Sequence, residues 1–317
     1  MSLAQWLDAG AAHAPEDAGG GGNHLPMALV ALQRLGASGA RLQTFAQAQA
    51  AHLLPAPAPQ PWPAGDAWAA RLGDVTAWAA YRSLFAEWLV HEGGAAVLQQ
   101  VLPQLMPGCG AAAFHGLIRT AYAVQTGHAG ELADGLAHWA CRHLPLGQLP
   151  ATPGRQPDPL PLLRQLRTVP SDQPLICQRM AAAAASPQLQ ATVAGLAVGP
   201  GTLARLARLS AQACAGSGNP TALRLVTSCH AMRVLLPLAD EPLPALRWFW
   251  QAWAAAVAAA GLQALPPAPL RPWPVIVAAA LASDDAHLTM LVDSCRAEEA
   301  AHGGDDWRRA ASRALAA

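Results

Sequence analysis

The sequence predicts an all-α fold, a single large multi-helix domain with proline-rich connectors, and three observations predict it. Apolar residues recur at three- and four-residue spacing along most of the chain, while alternation of the strand type is nearly absent. Much of the 53% hydrophobic content is alanine, the best helix former and a weak hydrophobe. The 28 prolines punctuate the periodic segments rather than interrupt them.

The elements follow in order. Leu25, Leu29, Leu32 and Leu35 share one face of a helix over 24–35, with Asn23 as its N-cap and Gly36 as its stop. A shorter helix is expected at 39–53, then an extended connector at 55–65, PAPAPQPWPAG. A helix at 74–92 carries Trp78, Leu84, Phe85, Trp88 and Leu89 and ends at Gly93–Gly94. Helices at 95–106, 111–126 and 129–143 precede a second proline-rich loop, 145–161. Beyond it the pattern predicts helices at 161–168, 173–185, 188–197, 201–216 and 219–237. The last four are expected at 243–261, 274–282, 284–302 and 304–316. The loop could separate two lobes, 1–144 and 162–317, but candidate site residues on both sides of it argue for one functional unit over 1–317. Trp248 to Leu265 is nearly free of charge, yet its alanines, Gln251 and Gln263 make it a packed core helix rather than a membrane span.

Composition removes several function classes. Net charge is zero and 13% of residues are charged, so charge alone attracts neither nucleic acid nor an anionic membrane. The chain has no lysine, which removes Schiff-base and P-loop chemistry together. The glycines at 19–22 follow no strand and lack the order of a phosphate loop, and there is no GxSxG elbow. Six cysteines without a CxxC pair fit reduced thiols, and the first residues lack the regions of a secretory signal; the expectation is a cytoplasmic protein.

The chemistry-bearing residues are histidines. An imidazole on a buried helix face is costly unless its nitrogens find partners, and a metal ion is one such partner. His115 faces the apolar side of its helix with Ile118 and Tyr122; His230 shares a face with Val226 and Val234. His287 stands with Leu291 on one side and Asp284 on the other, and His24 opens its helix. Each alone reads as a core histidine bonded to a carbonyl. Four on four segments could converge on one metal centre, although no pair has local ligand spacing such as HExxH. Arg119 and Arg233, one turn beyond His115 and His230, are either ordinary arginines or a fork for a phenolate or quinone oxygen. Asp134 and His138 stand at i, i+4, either as a carboxylate–imidazole pair that supports a site or as a helix-surface hydrogen bond, and Glu87 and His91 stand so as a solvent-facing pair beside the glycine stop. Some of the 11 tryptophans could wall an aromatic pocket.

These segments resemble a known family. NHLPMALVALQRLGASGARLQTF, FHGLIRTAYAV with GELADGLAHWA, LRLVTSCHAMRVLLP, and DDAHLTMLVDSCRAEEA with WRRAAS resemble, in order, four blocks of the questin oxidase-like proteins. The resemblance implies a mostly helical oxygenase that cleaves or oxygenates an anthraquinone-like polyketide with O2. It implies Fe(II) held by histidines matching His24, His115, His230 and His287, NADPH as a candidate co-substrate, and no flavin. Imidazole suits Fe(II), and the chain carries no dinucleotide fingerprint. Met290 stands where relatives tend to carry lysine, and Met27 where a second polar residue is expected after His24; either the four histidines suffice, or Asp284, Asp285 or Asp293 completes the shell, or the site has lost its activity. Two alternatives stay open: a helical protein that binds an apolar aromatic ligand without catalysis, and a zinc hydrolase with Asp284 or Asp285 as base.

Overall fold

Helical periodicity becomes sixteen α-helices among the described residues of a computed structural model, which covers residues 1–17, 19 and 21–316. In chain order these are α1 Leu3–Gly10, α2 Leu25–Arg34, α3 Gly39–Ala50, α4 Trp78–Glu92 and α5 Gly94–Leu105. Next come α6 His115–Thr126, α7 Ala129–Cys141, α8 Pro159–Leu163, α9 Ile176–Ala184 and α10 Pro187–Gly195. The rest are α11 Thr202–Ser217, α12 Pro220–Leu235, α13 Pro242–Ala260, α14 Trp273–Ala282, α15 Ala286–His302 and α16 Asp306–Ala314. Strand pairing among the described residues is confined to three isolated bridges, such as Glu16 with Gly22.

Prolines begin α8, α10, α12 and α13, where the missing N–H would be unpaired anyway. Pro103 departs from the expected punctuation and sits inside α5. The expected helix at 161–168 shrinks to the short α8, and the one at 39–53 stops at Ala50. The first helix, α1, was not expected. Its signal is a capping box: the Ser2 hydroxyl accepts from the Gln5 N–H, and the Ser2 N–H donates to Gln5 Oε1.

Helices from both sides of the 145–161 loop share one hydrophobic core. The alanine-rich α13 lies within it, with Trp250 and Trp253 stacked at 5.9 Å between ring centroids. No helix among the described residues is long and apolar enough to cross a membrane.

Four helices, α2, α6, α12 and α15, position the site. Their side-chain pairs show that they run in the same direction. His24 and His287 meet at the start of α2 and α15, and Arg34 Nε reaches Asp293 Oδ1 at 2.9 Å further along both. Tyr122 of α6 donates to Asp293 at the same level, at 3.2 Å. Gln125 of α6, His230 of α12 and Glu298 of α15 meet beyond that. All four N-termini therefore point to one end, and the helix dipoles make that end electropositive. α6 also packs closely on α7 through glycine: a Cβ on Gly116 would stand 2.5 Å from Trp139 Cβ and 2.6 Å from its Cα.

Candidate functional site

Three of the four expected imidazoles meet at the electropositive end. His24 is the N-cap of α2, His115 the first residue of α6, and His287 the second residue of α15. The His24 ring lies 4.5 Å from His115 and 4.2 Å from His287 between centroids. Asn23, expected as the N-cap, acts one residue earlier: its Oδ1 accepts from the Leu25 N–H at 3.0 Å, and its amide donates to Ala14 O at 3.0 Å. That ties the chain before α2 over the site.

His115 is aimed by unusual backbone. Ala112, Ala113 and Phe114 lie consecutively in the left-handed region, at φ 45°, 56° and 69°. Non-glycine residues pay for such conformations, which persist where the surroundings over-determine them. The turn brings Ala112 O to 2.5 Å from His115 Nδ1. A carbonyl only accepts, so Nδ1 carries the proton and Nε2 the lone pair. His115 Nε2 faces His24 Nε2 at 2.5 Å, so His24 Nε2 carries the proton between them. The loop before α2 closes against this pair, since a Cβ on Gly22 would stand 2.6 Å from His115 Cδ2. Gly20, within the 19–22 run, lies outside the described residues.

Beside the pair, His287 Nε2 is buried without a hydrogen-bond partner. Asp285 caps α15 by accepting the His287 N–H at 2.8 Å, and its Oδ1 lies 3.6 Å from His287 Nδ1. On the other side His138 stands 6.5 Å from His115 between centroids. It does not pair with Asp134 as expected; its Nε2 meets Glu16 Oε1 at 3.2 Å, and Glu16 also accepts from Arg142.

Electrostatics keep the His24–His115 pair neutral. Burial, then the neighbouring imidazoles and Arg224, hold His24 well below the usual histidine range. Burial, then Arg224, pushes His115 down to about 3. Above pH 6.5, the ordinary value, neither the folded nor the unfolded chain protonates His115. As pH falls below that, the unfolded chain gains a proton that the folded one refuses, so stability falls until about pH 3. His115 alone is expected to cost about 2 kcal/mol at pH 5. Urea unfolding at pH 7 and pH 5 checks this, and an unchanged midpoint would refute the buried neutral pair.

His230 does not join the other three. Its Nδ1 meets Glu298 Oε1 at 2.9 Å and its Nε2 meets the Gln125 amide at 3.1 Å. Gln125 lies ten residues along α6 from His115, about 15 Å at helical rise. Glu298 also takes Arg233 Nε at 2.6 Å and lies 3.3 Å from His302 Nε2. Arg233 is thus committed to that carboxylate. Arg119 is likewise committed: its Nε and Nη2 reach both oxygens of Glu131, at 2.5 and 2.9 Å, and Nη2 reaches Asp134 at 3.3 Å. Neither arginine is a free fork for substrate. Met27 and Met290, one turn beyond His24 and His287, are buried.

The residue the sequence did not single out is Arg224. It bears on His24 and His115, burial lowers its pKa, and its Nε is buried without a partner. Its signal was a cation in the N-terminal part of a helix, where the dipole disfavours one. It lines a cavity of about 270 Å³ with Leu223, His287, Leu288, Leu291 and Arg313. Among the described residues no three His, Cys, Asp or Glu side chains are arranged to hold a metal ion.

A family model described as questin oxidase-like matches residues 22–192, just over half of the chain, and takes in His24 and His115. No curated protein matches the chain.

Proposed function

The chain belongs to the questin oxidase-like family, and from that premise we propose that it is an oxidoreductase that oxygenates an electron-rich polycyclic aromatic molecule with O2 at the His24–His115–His287 cluster. One observation carries this reading: helices far apart in sequence bring three imidazoles to one end of the bundle, two of them depressed well below the usual histidine range.

Fe(II) is the metal that the resemblance implies, and the donor set argues against it. Neutral imidazole is a ligand Fe(II) accepts. Here, however, the His24 and His115 Nε2 atoms stand 2.5 Å apart, closer than two nitrogens bound to one ion at about 2.0–2.1 Å in a tetrahedral shell would be. The charged neighbour bearing on both is the guanidinium of Arg224, and the surrounding helix N-termini add positive potential. Asp285 stands on the same cavity but is spent on the α15 cap and His287, so a dication would meet net positive surroundings, and no step is assigned to one.

The chain's own groups suit binding and orientation. His24 and His287 offer imidazole lone pairs that accept from the hydroxyl groups of a phenol or hydroquinone. His115 is too weak a base to take a proton near neutrality, so it fixes the His24 proton instead. The cavity leucines hold an apolar ring, and the Asn23–Ala14 bond fixes the chain before α2. An ionised polyhydroxy ring is electron-rich enough to pass an electron to O2 directly, and Arg224 favours the ionised form. Oxygen uptake with hydroxylated naphthoquinones and anthraquinones tests the reading, after chelator treatment and again with added Fe(II). Substrate-dependent uptake with label from ¹⁸O₂ in the product is expected. No uptake with any of these compounds, with or without Fe(II), would refute it.

A further inference from the structure

We infer that the imidazole-capped end of the bundle is an anion site, in which Arg224 receives the oxyanion of an apolar organic acid whose hydrocarbon body fills the adjoining cavity. This goes beyond the oxidoreductase reading, because it holds whether or not the bound molecule is oxidised.

An unsatisfied donor points to a ligand: Arg224 Nε is buried with no partner among the described residues, and Arg224 lines the cavity beside His287. Burying a guanidinium is costly unless a counter-charge accompanies it. Among the described residues no carboxylate nearby supplies one. Asp285, on the cavity rim, is spent on capping α15 and on His287. Asp284 pairs with Arg41 at 2.9 Å, and Glu16 is held by His138 and Arg142. Arg313, the other cation lining the cavity, donates to the carbonyls of Ala215 and Pro266. Neutral carbonyls leave the Arg313 charge in place, so both guanidiniums favour an anion in the cavity, and Arg224 is the one of the two with a buried unpartnered nitrogen. The same features that repel a dication, a guanidinium and converging helix N-termini, attract an oxyanion.

The remaining wall is Leu223, Leu288 and Leu291. At about 270 Å³ the cavity is at the small end of ordinary ligand sites, which run from about 300 Å³ upward. It suits one or two fused rings carrying a single carboxylate or phenolate. The guanidinium fork matches either oxyanion, with a carboxylate able to take two donors.

Calorimetric titration of the full chain at pH 8 tests this with 2-naphthoate, 4-nitrophenolate and the neutral amide 2-naphthamide. At least one anion is expected to bind tenfold or more tightly than the amide. Whichever anion wins identifies the oxyanion as carboxylate or phenolate. Arg224→Met should abolish that preference, retain the amide affinity and unfold no earlier than the parent, since it removes an uncompensated charge. Arg224→Gln serves the same purpose if the methionine variant does not fold. Equal binding of amide and both anions would overturn the inference. So would an anion preference that survives loss of Arg224, or stoichiometric Co(II) binding with a visible ligand-field spectrum in the parent. Substrate-dependent oxygen uptake without an anion preference overturns this inference alone; an anion preference without oxygen uptake overturns only the oxidoreductase reading.

Discussion

Arg119→Met is expected to lower the unfolding free energy by about 3–5 kcal/mol, the range for removing one partner of a buried ion pair. The side chains of Arg119, Glu131 and Asp134 are 2–3% exposed. Arg119 bridges the two carboxylates, and its own pKa is raised by them. Arg82 Nε at 2.5 Å from Asp134 would remain, but Glu131 would lose both of its charged hydrogen bonds. Burial and Glu131 already push Asp134 up to about 6 against the pull of both arginines. Without Arg119, the cheapest response of the site is to take up protons or to open. Methionine keeps the stem and removes the fork, so the loss measures charge rather than packing. Urea unfolding at pH 7 gives the number. A variant of parental stability that has lost only activity would mean that Arg119 serves substrate, and the structural role assigned to it would be wrong.

Gly116→Ala is expected to cost about 3 kcal/mol or more, at the upper end of overpacking penalties. An added Cβ would lie 2.5–2.6 Å from Trp139, including its backbone Cα, which no side-chain rotation relieves. α6 and α7 must separate, and Gly135 opposes this from the other helix, with a notional Cβ 2.9 Å from the Thr120 backbone nitrogen. Gly116 follows His115 directly, so separation would also displace the His115 ring from Ala112 O. Ordinary helix propensity predicts the opposite sign, since alanine favours a helix over glycine by about 1 kcal/mol. A raised melting temperature would show that propensity wins and that the α6–α7 approach is looser than described.

The fold was legible because the signals were local. Leucines at 25, 29, 32 and 35 can face one way only on a helix, and Gly36 beyond them adopts φ 96° as a stop does. α1 was equally legible through Ser2 and Gln5. The left-handed run Ala112–Phe114 was not, because alanine and phenylalanine carry no preference for it; tertiary packing around His115 imposes it. The site was half legible. Apolar neighbours showed that His115 and His230 are buried but not which end of the bundle each occupies. That depends on helix direction: His115 opens α6, whereas His230 lies eleven residues into α12 and meets Glu298, far along α15. Glu298 itself, fully buried at 0% exposure, lay in a charged stretch, CRAEEA, that reads as solvent-facing. Arg224 was missed because an arginine has no periodic signature of burial.

The central claim is that His24, His115 and His287 form the working site and that His230 does not. Oxygen uptake on a single hydroxylated aromatic substrate, compared across His24→Phe, His115→Phe, His287→Phe and His230→Gln, tests it most directly. The first three are expected to fold and to lose about 100-fold or more in turnover, as misplacement of a bound reactant does. His230→Gln is expected to lose stability through Glu298 and to keep turnover within about threefold at a temperature where it is folded. Full turnover in the first three, with loss confined to folded His230→Gln, would move the site to the other end of the bundle and contradict the account.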